Sequence, residues 1–268
     1  MIHHEQRVLV MGILNMTPDS FYDGGRLLDV DTAIQAGISM IEDGADLLDI
    51  GGESSRPGAE PVSPQQELTR VLPVLEGLRA ETTTPISIDT TKASVAKATL
   101  HAGADIINDI TALRSDPEMA RTISEAGAKV ILMHMRGTAK TMQLEPHYND
   151  VVKEVGDFLM ERAKYAQTIG IPSDHIILDP GIGFGKLLEH NLSLLRQLPK
   201  LASCGYPVLV GLSRKSFLGQ LLDLPVTERL EGTIAANTAA ILGGASIIRV
   251  HDVKEGRRTA DVAVLLRI

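Results

Sequence analysis

Residues 8–25 read VLVMGILNMTPDSFYDGG. The run 8–14 is apolar or small throughout and stops at Asn15. A run of that length, bounded by turn formers, reads as a strand buried on both faces. Thr17, Pro18, Asp19, Ser20, Asp23 and the pair Gly24-Gly25 then make a polar loop, before a helical pattern begins near Asp31. A core strand thus delivers one amide side chain at its end and releases a long loop. The same plan recurs along the chain.

Over 31–43, Ala33, Ile34, Ile38 and Ile41 form an apolar stripe, and Gly44 suits the position after a helix end. A strand over 45–50 follows, ending in the polar, glycine-rich loop GGESSRPG at 51–58. Ser63 can cap the next helix, Pro64 suits its first position and Gln66 completes a capping box. Leu68, Val71, Leu72 and Leu75 form its buried face. Further strands are predicted over 85–89, 105–108, 129–133, 175–178, 207–211 and 247–250, with helices over 92–101, 116–127, 152–166 and 234–242. One pattern ties these together: GADLLD at 44–49, GADIIN at 103–108, GAKVIL at 127–132 and GASIIR at 244–249. Each reads as helix cap, tight turn, buried strand and, commonly, a polar side chain.

About eight strand–helix alternations in 268 residues predict a (β/α)8 TIM barrel, one domain over 1–268. A doubly wound open sheet is the alternative. No segment reads as an edge strand, and G-x-G-x-x-G is absent. With 44% apolar residues but only 3% aromatic, the core is built from aliphatic packing. A net charge of −8 without a Lys/Arg run argues against nucleic-acid binding, and an anionic substrate would need locally gathered positive charge. Cys204 is the only cysteine, which excludes an intramolecular disulfide and a multi-cysteine metal site. No apolar run reaches a membrane-spanning length, and MIHHEQ at 1–6 reads as neither a signal peptide nor a lipidation motif. A cytoplasmic setting is the expectation.

The predicted strand ends carry Asn15, the loop 53–56, Asp89, Asn108, His134, Asp179, Ser213 with Lys215, and Arg249 with His251. In a barrel these meet on one face. Asp89, Asn108 and Asp179 can hydrogen-bond a flat polar heterocycle, with Asp179 as a bidentate acceptor for an amino-pyrimidinone edge. The two carboxylates could instead be an acid/base pair or metal ligands. Asn108 is a poor third ligand, however, and Lys215 adds positive charge. Lys215 could form a Schiff base, or serve with Ser213 and Arg214 in anion and carbonyl binding. Asn15, Ser55, Arg56, Arg249 and His251 can surround phosphate. The glycines of 179–186, DPGIGFGK, read as letting a ligand approach the backbone.

Together GILNMTPDSFYDGG, GGESSRPGAEPVS, ISIDT, INDITA, LDPGIGFGK, GLSRKSF and IRVHD resemble the dihydropteroate synthase family, in order and over nearly the whole chain. The resemblance implies a dimeric barrel that joins 6-hydroxymethyl-7,8-dihydropterin diphosphate to p-aminobenzoate, releases pyrophosphate and is inhibited by sulfonamides. It implies a pterin site of Asp89, Asn108, Asp179 and Lys215, a Mg²⁺ ligand in Asn15, and a diphosphate site of Ser55, Arg249 and His251. Ser55 stands where the family commonly has threonine. Arg56 and Ser213 would take the arylamine carboxylate. Phe21 and Asp23 are candidates to cover a pterin cation; Asp89 and Asp179 would fix the ring and offset its charge, Lys215 would donate to the pterin carbonyl, and Lys215 and Asp89 count with Phe21 and Asp23 as the catalytic groups. A methyltetrahydrofolate–corrinoid methyltransferase and a non-catalytic pterin-binding barrel are the rival readings.

Overall fold

Alternation along each strand sets the architecture. The computed structural model describes residues 7–17, 29–56, 58–138, 141–142 and 146–267. The strands are β1 (Leu9–Asn15), β2 (Leu47–Gly51), β3 (Ile86–Asp89), β4 (Ile106–Asp109), β5 (Lys129–Met133), β6 (Ile176–Asp179), β7 (Leu209–Gly211) and β8 (Ile247–Val250). They form one parallel sheet in the order β6-β5-β4-β3-β2-β1-β8-β7. A single parallel bridge, Leu178 to Val208, joins its two ends. The predicted TIM barrel is therefore present, and the open-sheet alternative is not.

Met11, Leu47, Ile106, Ile131, Ile177, Leu209 and Ile247 point inward and form one buried cluster. Two residues further along, the same strand faces carry Asp49, Asn108, Asp179 and Arg249, and β3 carries Ser87 and Asp89. An apolar plug thus fills the lower barrel and a polar layer lies above it. The opposite strand faces supply Val10, Leu48, Ile88, Ile107, Val130, Leu178 and Ile248 to the larger core shared with the helices. Burial of each such side chain stabilises by about 1.5–3 kcal/mol, so a slip of register is strongly disfavoured.

The helices are α1 (Val30–Glu42), α2 (Pro64–Glu81), α3 (Ala93–His101), α4 (Met119–Ala126), α5 (Val151–Thr168), α6 (Leu188–Arg196), α7 (Leu198–Ala202), α8 (Ser216–Leu222), α9 (Leu230–Leu242) and α10 (Val253–Leu265). The capping box of α2 forms as expected: Gln66 N–H donates to Ser63 Oγ and Ser63 N–H to Gln66 Oε1. α6, α7, α8 and α10 occupy stretches to which the sequence reading assigns no element; α7 and α8 are too short to show a helical period. β6 starts later than expected because Ser173–His175 forms a 3-10 turn, and β7 keeps only its last three residues. No helix among the described residues is long and apolar enough to cross a membrane.

Candidate active site

The polar layer begins with a residue hidden inside a strand. Asp49 is wholly buried, and its Oδ2 accepts from Arg249 Nε at 2.6 Å and from Asn108 Nδ2 at 3.1 Å. Arg249 Nη2 also donates to Asp89 Oδ2 at 3.2 Å. One guanidinium thus ties β8 to β2 and β3, and the Asp49 carboxylate ties β2 to β4 through Asn108. Register places the partners side by side, since Asp89 pairs with Gly51 on one flank and Asn108 on the other. Burial, and after it repulsion from Asp49, pushes the Asp89 carboxyl up to about 7, against the pull of Arg249. Burial lowers Arg249, but the two carboxylates outweigh it and hold the cation firmly charged.

Asp49 Oδ1, Ser87 Oγ and Asn108 Oδ1 are buried with no partner among the described residues. Each such group costs about 1–3 kcal/mol unless something meets it. All three belong to the inner strand faces beneath the barrel mouth, where a flat ligand rich in N–H groups could meet them. Across the mouth Asp179 accepts the Gly181 N–H at 2.7 Å. Burial raises its carboxyl, and Lys215 pulls it back. Burial lowers Lys215 to about 8, opposed by Asp179. Lys215 Nζ donates to the Ile182 carbonyl and lies 4.7 Å from the centre of the Phe184 ring. The lysine is thus held as a point charge above an aromatic face.

The loop 179–186 is shaped by its neighbour more than by a ligand. A Cβ on Gly181 would lie 2.0 Å from the His134 carbonyl oxygen, and one on Gly185 2.4 Å from that of Arg136. These glycines let the β6 and β5 loops close on each other, which replaces the expectation that they admit a ligand. Buried Lys186 fastens the closure, donating to the carbonyls of Gly181 and Phe184 at 2.9 Å and facing His134 Nδ1 at 2.9 Å. Burial and then Lys186 force the His134 imidazole down to about 2, so this strand-end histidine is a neutral packing residue.

At the opposite side, His251 N–H donates to Ser213 Oγ at 3.3 Å, and His251 Nδ1 lies 3.0 Å from the same oxygen. The hydroxyl can donate to Nδ1, which leaves the ring proton on Nε2. Burial, then Arg249, depresses His251 to about 4, with Arg56 among the cations that contribute. His251 is therefore a neutral ring whose Nε2–H is a donor suited to an anion. Arg214 is bound bidentately by Asp252, at 2.9 and 2.7 Å, with φ +55°. Its charge, between Ser213 and Lys215 in the chain, is thus met by the residue that caps the start of α10. Asn15 ends β1, its Oδ1 turned toward Gly51 at the end of β2. Ser55 and Arg56 are half-buried beyond β2. Phe21 and Asp23 lie outside the described residues.

Residues 11–251 match the pterin binding enzyme family. A dihydropteroate synthase of Synechocystis sp. is 49% identical, over 96% of this chain and 90% of its own length. The chain belongs to the dihydropteroate synthase family. The Yersinia pestis dihydropteroate synthase, solved in a sulfonamide drug complex, superposes with a TM-score of 0.94 at 46% identity, covering 97% of this chain and 94% of that one. The Xanthomonas albilineans dihydropteroate synthase with 4-aminobenzoic acid gives 0.90 at 46% identity, over 97% and 93%.

Against that family background, Asp49 and Ser87 are what sequence reasoning leaves out. The signal for Asp49 lies in the internal repeat, where GADLLD places it opposite Asn108 of GADIIN. Ser87 carries a weaker one, sharing a strand face with Asp89.

Proposed function

We infer that this chain is a transferase of folate biosynthesis, joining 6-hydroxymethyl-7,8-dihydropterin diphosphate to p-aminobenzoate to give 7,8-dihydropteroate and pyrophosphate. The observation that carries the reading is the buried polar layer: Asn108 with an unmet amide oxygen, Asp89 and Asp179 as acceptors, and Lys215 as a donor held beside them. Asp179 accepts from the amino-pyrimidinone edge, Asn108 meets the ring from the barrel floor, and Lys215 donates to the pterin carbonyl.

The reacting methylene then faces the loops after β1 and β2. Its C–O bond to diphosphate breaks first, because the dihydropterin ring delocalises the positive charge. Asp89 and Asp179 offset that charge from within the barrel. Phe21 and Asp23 are the residues proposed to shield that cation. The amine of p-aminobenzoate attacks the methylene, and its proton leaves to solvent, since an arylammonium is strongly acidic. Arg56 holds the arylamine carboxylate, and Ser213 joins it once His251 is protonated on Nδ1 and no longer takes the Ser213 hydroxyl proton. His251 Nε2–H, Ser55 and Arg249 receive the leaving diphosphate, whose charge would raise the His251 pKa on binding.

Asn15 offers a hard amide oxygen at a strand end. Among the described residues no group of three or more His, Cys, Asp or Glu could cage a metal. That donor set fits Mg²⁺ held mainly by substrate phosphates and water, with Asn15 as its protein ligand. Bound there, Mg²⁺ would supply neutralisation of the departing diphosphate.

A homodimer is part of the proposal, supported by an exposed apolar edge: Leu242 at 45%, Val262 at 60%, Leu265 at 69% and Leu266 at 61%. So is a cytoplasmic setting, which suits a lone cysteine.

Pyrophosphate release from the diphosphate substrate, p-aminobenzoate and Mg²⁺ tests the reaction. Methyl transfer from methyltetrahydrofolate, or pterin binding without turnover, would replace it with one of the rivals. Calorimetry tests the order. p-Aminobenzoate should give no heat with enzyme alone and should bind once a pterin, Mg²⁺ and pyrophosphate are present; equal affinity in both conditions would mean a preformed amine site.

A further inference from the structure

Behind the loop that carries Ser55 and Arg56, three ionisable side chains form a clamp. Lys92 Nζ donates to Glu53 Oε2 and, at 2.5 Å, to Glu67 Oε2. Glu53 stands in the loop just past β2, Glu67 is fully buried on α2, and Lys92 is the residue before α3. Both carboxylates come from earlier in the chain, Glu53 by 39 residues and Glu67 by 25, so the clamp fastens elements that the chain itself does not hold together.

Its footing is firm. Lys92 N–H donates to Thr90 Oγ1 at 3.3 Å, which ties it to the end of β3 one residue beyond Asp89. Asp116 accepts the Ala93 N–H at 2.8 Å and caps an α3 that has no side-chain cap of its own. Arg70 of α2 donates to the Gly52 carbonyl at 2.7 Å, so the loop is also held one residue before Glu53. Burial lowers the Lys92 pKa, but the hydrogen bonds to Glu53 and Glu67 outweigh it and lift the group above its ordinary value. The ammonium is therefore fully charged at neutral pH. The loop that follows β2 is thus anchored at its first residues, through the Gly52 carbonyl and the Glu53 carboxylate, just before Ser55 and Arg56.

We propose that Lys92 is a positioning residue for the second substrate: by drawing Glu53 onto Glu67 it sets the point from which Ser55 and Arg56 close over the diphosphate and complete the arylamine pocket. This rests on the functional reading above. Lys92 touches neither substrate. Its effect passes through Glu53 to the loop, while Asp89, Asn108 and Asp179 keep their places on the strands. Releasing the clamp should therefore weaken p-aminobenzoate and spare pterin binding.

Lys92→Met alone would strand the buried Glu67 carboxylate and put folding at risk. Two cleaner variants are Glu53→Ala, which leaves Lys92 paired with Glu67, and Lys92→Met/Glu67→Gln, which removes the stranded charge. Each should raise the KM for p-aminobenzoate about tenfold, with affinity for a pterin lacking diphosphate within about twofold of wild type and the melting temperature nearly unchanged. Lys92→Arg, whose fork can reach both carboxylates, should restore most of the lost affinity relative to the double variant. A folded Glu53→Ala enzyme with unaltered KM for p-aminobenzoate would overturn the inference. So would an equal loss of pterin affinity, which would mean a general loosening of the barrel mouth. Failure of the wild-type enzyme to release pyrophosphate would instead overturn the functional reading, and this inference with it.

Discussion

Asp49→Asn keeps the side chain's size and deletes its charge, and the structure gives two consequences. The first is stability. The variant loses a charge-assisted bond of 2.6 Å to Arg249, worth about 1.5–3 kcal/mol. Arg249 keeps Asp89 at 3.2 Å, so the cost stays below the roughly 3–5 kcal/mol of leaving a buried charge alone. About 2 kcal/mol is expected. The second consequence is a moved proton. Asp89 is held at about 7 by burial first and Asp49 second. Any two carboxylates at about 4 Å and an effective dielectric near 20 repel by roughly 4 kcal/mol, and here the guanidinium that bridges Asp49 and Asp89 offsets part of the repulsion. A fall in the Asp89 pKa of about one to two units follows. If pterin binding needs ionised Asp89, wild-type affinity weakens as pH drops below about 7, and the break in the variant lies near pH 5–6. Calorimetry with a pterin analogue from pH 5 to 9 measures the break, and urea titration measures the stability. A folded variant whose break stays at the wild-type pH would refute the account of the Arg249 cluster.

Asp179→Asn should lower pterin affinity by about 1.5–3 kcal/mol while the barrel survives, and unchanged affinity by calorimetry would remove Asp179 from the site. Lys215→Arg should bind pterin poorly, because a planar fork does not replace a point charge seated over Phe184. Borohydride with substrate should leave no adduct on Lys215 by mass spectrometry, and finding one would establish the Schiff base instead. Acid should destabilise the fold through His251, depressed to about 4, and His134, depressed to about 2, both chiefly by burial. The unfolded chain takes up those protons near pH 6.5 and the folded one does not. Stability therefore falls as pH drops below about 6.5, by at most about 1.4 kcal/mol per unit for each histidine. His251→Gln should flatten part of that slope in urea midpoints measured at several pH values, and a variant slope equal to wild type would clear His251.

The strand ends were readable because a strand buried on both faces most readily places polar residues where it ends. Asn15, Asp89, Asn108 and Asp179 stand out in the sequence for that reason. Asp49 is harder to see: the repeat marks its position, but its justification is Arg249, 200 residues further on. Arg214 shows the same limit from the other side. By residue type it suits an anion, and only the folded chain brings Asp252 to it. Gly181 and Gly185 were recognisable as positions needing a bare backbone. What approaches that backbone is a neighbouring loop, and that depends on the β5–β6 register rather than on local sequence. The short helices α7 and α8 give too few turns for a period, while the long α2 announces itself by its cap.

The barrel wall is stitched unevenly. Neighbouring strands share runs of paired residues all the way round, but β6 and β7 meet at the lone bridge from Leu178 to Val208. Asp179 ends the strand on one side of that gap, and Lys215 follows the strand on the other. A pterin gripped by both is therefore a clasp across the seam, and filling the site should slow amide exchange in β6 and β7 more than elsewhere in the sheet. Substitutions that ease the seam open would then cost affinity without meeting the ligand at all.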